Sequence, residues 1–145
     1  MTDEYFMRIA LQEAERASLA GEVPVGAVLV SKDGRIIART HNQTELLGDV
    51  TAHAEMLAIT SASELLGGKY LKECTLYVTL EPCPMCAGAL AWSQIGRIVF
   101  GAKDDKRGFN RFSSAILHPK TVVEHGLLDE ECAEKVKLFF SKRRR

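Results

Sequence analysis

The chain switches repeatedly between a helical and a strand-like period of hydrophobicity. From Asp3 to Ala20, the apolar residues Phe6, Ile9, Ala10, Ala14 and Ala17 recur at helical spacing, and Gly21 follows as a stop. Val25 to Val30 is a β-branched run. Lys32-Asp33-Gly34 then supplies the chemistry of a tight hairpin turn, and Arg35 to Thr40 returns as a second strand. His41 to Thr51 reads as a polar loop. His53 to Leu66 predicts a helix whose apolar stripe is Met56, Leu57, Ala62 and Leu65, ended by Gly67-Gly68. Cys74 to Leu80 predicts a third strand, Cys83 to Ser93 a short helix opened by prolines, and Arg97 to Ala102 a fourth strand. Lys103 to Lys120 reads as a basic loop and Thr121 to Glu124 as a short strand. Asp129 to Ser141 predicts a terminal helix with Cys132, Val136, Phe139 and Phe140 as its apolar positions. A hairpin followed by alternating helices and strands predicts an α/β fold, a mixed sheet with helices on its faces.

The chain has 145 residues, enough for one domain with its own core, and residues 1–145 are read as a single domain. Its 46% hydrophobic and 26% charged residues exclude a disordered chain, a collagen-like repeat and a disulfide-dense miniprotein. Formal charge sums to zero, from 19 Lys+Arg and 19 Asp+Glu. The distribution changes what that zero means. Through Gly96 there are 7 basic and 12 acidic residues, a sum of −5; from Arg97 onward there are 12 and 7, a sum of +5. An anionic partner is therefore to be sought locally, at the Lys103–Arg111 loop and the Lys142–Arg145 tail. The acidic start Met1-Thr2-Asp3-Glu4 lacks the features of a signal peptide. The longest uncharged stretch, Pro82 to Gly96, falls short of the ~20 apolar residues that span a bilayer. The expectation is a cytoplasmic protein without a membrane partner, its four cysteines thiols or metal ligands rather than disulfides.

One constellation carries chemistry: His53-Ala54-Glu55 followed by Pro82-Cys83-Pro84-Met85-Cys86, each half at the start of a predicted helix. Cys83 and Cys86 fall on one face of a first helical turn, where the helix dipole and free N–H groups favour thiolate. Two thiolates and an imidazole suit zinc, and three protein ligands leave a fourth position for water, the arrangement of a catalytic site. Glu55 stands ~200° around a helix from His53, so it suits a proton carrier beside the ion rather than a further ligand. Cys74 and Cys132 fit core positions better than ligand positions. A Cys-x-x-Cys pair alone could also be a redox pair or part of a structural zinc site, but that reading leaves His53-Ala54-Glu55 unexplained. His-x-Glu with Pro-Cys-x-x-Cys is the signature of zinc-dependent nucleobase deaminases.

Across nearly its whole length the chain resembles the bacterial tRNA-specific adenosine deaminase family. The resemblance runs from Glu22-Val23-Pro24-Val25-Gly26-Ala27-Val28 to Phe139-Phe140. It is sharpest at Thr51-Ala52-His53-Ala54-Glu55, at Thr75 through Cys83, at Met85-Cys86-Ala87-Gly88-Ala89 and at Ile95 through Ala102. It implies a three-layer α/β/α cytidine deaminase-like fold with a mixed five-stranded sheet, and a homodimer. It implies conversion of the wobble adenosine of a tRNA anticodon stem-loop to inosine, with zinc-activated water attacking C6. One Zn²⁺ per subunit would be held by His53, Cys83 and Cys86, and Glu55 would shuttle protons. By position, Asn42 would hydrogen-bond the flipped base or its ribose, the Ala54 N–H would face the purine edge, and Asp104 would lie beside the target nucleotide. Phe139 and the basic terminal helix, with Arg143, match a surface that holds the anticodon loop, although Phe139 fits a core or dimer contact equally well.

The chain departs from the family's small Gly-Ser-Leu-Met segment after Asp104. It has Lys106-Arg107-Gly108-Phe109-Asn110-Arg111-Phe112-Ser113-Ser114 instead. Lys106, Arg107 and Arg111, interleaved with two aromatics, suit phosphate and splayed bases; the alternative is a basic surface loop with Phe109 and Phe112 tucked into the dimer interface. A deaminase of a free base or nucleotide, such as guanine, would share the zinc motifs.

Overall fold

The computed structural model describes residues 1–143, so positions 144 and 145 of the expected basic tail lie outside the described residues. The chain runs α1 (Asp3–Leu19), β1 (Gly26–Val30), β2 (Ile36–His41), α2 (Thr44–Leu47), α3 (Ala54–Leu66), β3 (Thr75–Leu80), α4 (Pro84–Ser93) and β4 (Arg97–Ala102). It continues through α5 (Phe109–Phe112), a 3-10 turn (Ser114–Ile116), β5 (Val122–His125) and α6 (Asp129–Arg143). The five strands form one sheet in the order β2-β1-β3-β4-β5. β1 pairs antiparallel with β2 and β3, while β3–β4 and β4–β5 are parallel. The sheet is thus mixed and five-stranded, as expected.

The strand period of two sorts side chains onto two cores. Ala27, Leu29, Leu76, Val78, Ile98 and Phe100 pack beneath α3 and α4. Val28, Val30, Tyr77 and Val99 face the opposite way, onto Phe6, Met7 and Ala10 of α1 and Cys132 of α6. The result is the three-layer α/β/α arrangement. Gly26 sets the distance between α1 and the sheet, because a Cβ there would collide with the backbone oxygen of Ala10. No helix among the described residues is long and apolar enough to cross a membrane.

Three sequence expectations are corrected. The buried face of α3 is Ala54, Glu55, Ala58 and Ala62, not the stripe of Met56, Leu57 and Leu65; Leu65 is 66% exposed. Small residues every fourth position let the helix lie close on the sheet, and that steric requirement outweighs hydrophobic size. Second, the polar loop contains α2, and the basic loop contains α5 and the 3-10 turn. Third, Phe109 is not free to stack on a base, since its ring is buried edge-on against Phe100. Phe112, 60% exposed, is the aromatic that this loop presents.

Candidate active site

Two helix starts converge at one end of the sheet. β3 ends at Leu80, Glu81-Pro82 carries the chain over the edge, and Cys83 becomes the N-cap of α4, with Pro84 in the first turn, where its missing N–H costs nothing. His53 is the N-cap of α3. Neither residue uses its side chain to cap its own helix, so both point their donors elsewhere. The Oγ1 of Thr40 donates to the Ala54 carbonyl at 2.7 Å and fastens the start of α3 to β2.

His53 Nδ1 lies 3.6 Å from Cys83 Sγ and 3.5 Å from Cys86 Sγ, and the three donor atoms lie within 4.8 Å of one another. A tetrahedral zinc ion, with bonds of ~2.3 Å to sulfur and ~2.0 Å to nitrogen, holds such donors ~3.5 Å apart. The triangle therefore fits zinc in donor chemistry and in size. Its electrostatics favour one thiolate, Cys83. Cys83 is held down at about 4 by the Cys86 thiol that donates to it, then by His53 and the Cys86 backbone N–H. The same contact with Cys83 pushes the Cys86 thiol up, and a separate hydrogen bond to Cys83 raises His53. Glu55, only 4% exposed, is pushed up to about 7 by burial, against the opposing pull of its own backbone N–H. A carboxyl with that affinity can both take and return a proton near neutrality.

Asn42 is buried, and its Oδ1 accepts the Ala54 N–H at 2.7 Å. The two positions expected to meet substrate separately are thus joined to each other. The Ala54 N–H is committed to Asn42, and the Asn42 amide NH2 is the donor a base would find. Asp104 is half-buried; its Oδ1 accepts the N–H groups of Lys106 (3.1 Å) and Arg107 (3.0 Å). Lys106, Arg107 and Arg111 are exposed beside it.

Phe139 and Arg143 stand apart. They belong to α6, which packs with α1 on the sheet face opposite α3 and α4. Phe139 is buried, the Arg143 guanidinium lies 4.6 Å over its ring, and Arg143 donates to the Gly21 carbonyl at 2.6 Å. Phe139 takes the core position that the sequence allowed equally well, and Arg143, exposed on that face, is tied to the α1–β1 turn.

Three buried carboxylates escaped the sequence reading: Glu13 on α1, which meets Arg16, Arg39 and His41, and the loop residues Glu22 and Glu81. Glu22 accepts the N–H groups of Glu45 (3.0 Å) and Leu46 (2.9 Å) and the Thr44 hydroxyl (3.3 Å), so it holds the first turn of α2, two residues beyond Asn42. Glu81 holds the loop after β4. The available signal was an ionisable residue next to a chain reversal, Gly21-Glu22 and Glu81-Pro82.

Burial raises the Glu22 carboxyl, but those three donors outweigh it and hold the group below its ordinary range. Its stabilisation is therefore present above the unfolded carboxylate range and is lost as pH falls through the lowered value. Glu22→Gln is expected to cost about 2 kcal/mol at pH 7, since one acceptor oxygen becomes a donor facing donors. The gap to wild type should narrow below pH ~4, where wild-type Glu22 also protonates. Urea melts at several pH values check both parts.

A three-layer mixed sheet carrying one imidazole and two cysteine sulfurs at paired helix starts is the architecture of zinc-binding deaminases. The family model for the cytidine and deoxycytidylate deaminase zinc-binding region matches residues 1–102, which include all three ligands. The chain belongs to this deaminase family and, within it, to the tRNA-specific adenosine deaminases. The tRNA-specific adenosine deaminase of Aquifex aeolicus (strain VF5) is 49% identical to it over 149 residues, covering 99% of this chain and 97% of its own. A solved structure from work on A-to-I editing by tRNA:A34 deaminases at the wobble position of transfer RNA superposes with a TM-score of 0.84 at 48% identity. That match covers 90% of this chain and 98% of the other. Guanine deaminase from Bacillus subtilis superposes less fully, with a TM-score of 0.68 at 41% identity, covering 71% of this chain and 66% of its own.

Proposed function

We propose that this protein removes the 6-amino group of the wobble adenosine in a tRNA anticodon loop, consuming water and yielding inosine and ammonia. The observation that carries the reading is end-to-end similarity to proteins named tRNA-specific adenosine deaminases. His53, Cys83 and Cys86 are the residues that would hold zinc. When bound, the ion supplies Lewis acidity that makes water nucleophilic at neutral pH. Glu55 takes the proton of the attacking water, then delivers it toward N1 and the leaving amine. Asn42 orients the base through its free amide NH2. Lys106, Arg107 and Arg111 meet backbone phosphate, and Asp104 holds two of their backbone N–H groups in place.

The reading includes a single deaminase domain, a cytoplasmic setting that keeps the ligand thiols reduced, and a homodimer. The outer face of α4 supports the dimer: Met85 and Trp92 are exposed there, Trp92 by 85%. A tryptophan so open on an apolar face fits the centre of an interface. Trp92→Glu is expected to convert the dimer to monomer, read by sedimentation velocity.

The substrate test is incubation of the zinc-loaded protein with an anticodon stem-loop carrying the wobble adenosine, and separately with guanine, cytosine and free adenosine. Inosine in the stem-loop alone is the expected result. Turnover of guanine alone, the activity named for the Bacillus subtilis neighbour, would overturn the choice of substrate.

A further inference from the structure

We propose that Glu81 is a positioning residue for RNA recognition: its buried carboxylate binds the basic loop Asp104–Arg111 to the turn carrying the zinc ligands, so that the loop's cations stand at the rim of the site. The inference rests on the RNA-deaminase reading and names the device that fixes substrate class.

Glu81 is 5% exposed and directly follows β3, immediately before Pro82-Cys83. Its two carboxylate oxygens serve the two ends of the loop. Oε1 accepts the Asp104 N–H at 3.1 Å, and Oε2 accepts the Asn110 N–H at 3.0 Å. Between them, Gly108 lies flat on the carboxylate, and a Cβ at Gly108 would collide with the Glu81 carboxylate. The main chain completes the attachment. Phe109 donates to the Pro82 carbonyl at 2.9 Å, Glu81 donates to the Ala102 carbonyl at 2.8 Å, and Gly108 donates to the Asp104 carbonyl at 2.9 Å. Phe109 then anchors the segment in the core against Phe100.

The loop so held presents Lys103, Lys106, Arg107 and Arg111, all exposed. Among the described residues none of the four has a carboxylate partner within ion-pair distance. Of the two acids on the same loop, Asp104 is occupied by backbone N–H groups, and the exposed Asp105 makes no ion pair with any of the four. Four cations without a carboxylate partner, on a loop hydrogen-bonded to Glu81 and Pro82 just before Cys83, suit a polyanion that must enter at a fixed register. A free base carries no phosphate and would gain nothing from them. Glu81 therefore acts on RNA through the loop, not on the reacting atoms.

The test compares wild type, Glu81→Gln and Gly108→Ala, each with and without Arg107→Ala/Arg111→Ala. The probe is a fluorescein-labelled anticodon stem-loop. Gln keeps the shape of Glu81 but offers one acceptor for two N–H groups. Gly108→Ala pushes the loop off an intact Glu81. For both, stem-loop Kd and KM should rise about 10-fold with a shallower salt dependence, kcat should change far less, and zinc content should stay at wild-type level. The effect should largely disappear in the Arg107→Ala/Arg111→Ala background, because residues acting as one unit are not additive. An unchanged Kd, a loss confined to kcat, loss of zinc, or full additivity overturns the proposal. If Glu81→Gln does not fold, Gly108→Ala decides alone. Wild type that neither binds nor deaminates the stem-loop overturns the RNA reading itself, and this inference with it.

Discussion

Glu55→Gln is expected to retain one zinc per chain and to deaminate about 10³-fold more slowly or worse, the range set by loss of a general acid–base group. The amide keeps the size and most of the contacts of a residue buried at the start of α3, so folding and metal content should be close to wild type. What it removes is the ability to hold a proton between two steps of one reaction. Burial, which pushes the Glu55 carboxyl up to about 7, is the physical reason that this carboxylate rather than an exposed one suits the task. Zinc analysis and single-turnover inosine formation on the same preparation check the prediction together. Near-wild-type turnover would remove Glu55 from the mechanism.

Cys83→Ala and Cys86→Ala are expected to fail differently. Each deletes one corner of the His53–Cys83–Cys86 triangle, and zinc should fall from one to below about 0.1 per chain after dialysis, with activity lost in parallel. Because an ion that binds only the folded state stabilises it by mass action, the zinc-dependent part of the melting temperature should vanish as well. Each variant should melt near the temperature of chelator-treated wild type, and added zinc should not raise it. Cys74→Ala and Cys132→Ala serve as controls. Both cysteines are buried outside the triangle and should leave zinc content unchanged. Full zinc in Cys83→Ala would remove Cys83 from the ligand set.

The contrast between these outcomes reflects how differently parts of the molecule are written in the sequence. His53, Glu55, Cys83 and Cys86 were legible because each pair sits within four residues and at a helix start, where local spacing already dictates direction. The strands were legible as short, largely apolar and β-branched runs in β1, β3 and β4, because both faces of these strands are buried against helices. The four-residue helices α2 and α5 were not legible. Neither spans enough turns to show a period, and α2 is held by Glu22 from 22 residues or more away. Phe139 and Arg143 illustrate a further limit. An aromatic followed by a cation four positions later on a basic helix reads equally as an RNA surface or as a self-contained cation–π pair. The position of α6 against α1 buries the Phe139 ring and leaves Arg143 exposed beside the Gly21 carbonyl, which the spacing alone could not tell. The same holds for α3, where hydrophobic size suggested one face and proximity to the sheet selected another.

That alanine face has a consequence beyond packing. Ala54, Ala58 and Ala62 set the height of α3 above the strands, and His53 rides on the first residue of that helix. The distance from its imidazole to the two sulfurs is therefore a gauge of core volume. A bulkier side chain at any of the three positions would lift the helix and stretch the triangle before it unfolded the protein. Ion retention, measured against a chelator of graded strength, would report core strain that a thermal melt averages away. The expected order of failure in such a molecule is loss of the ion first and loss of the fold second.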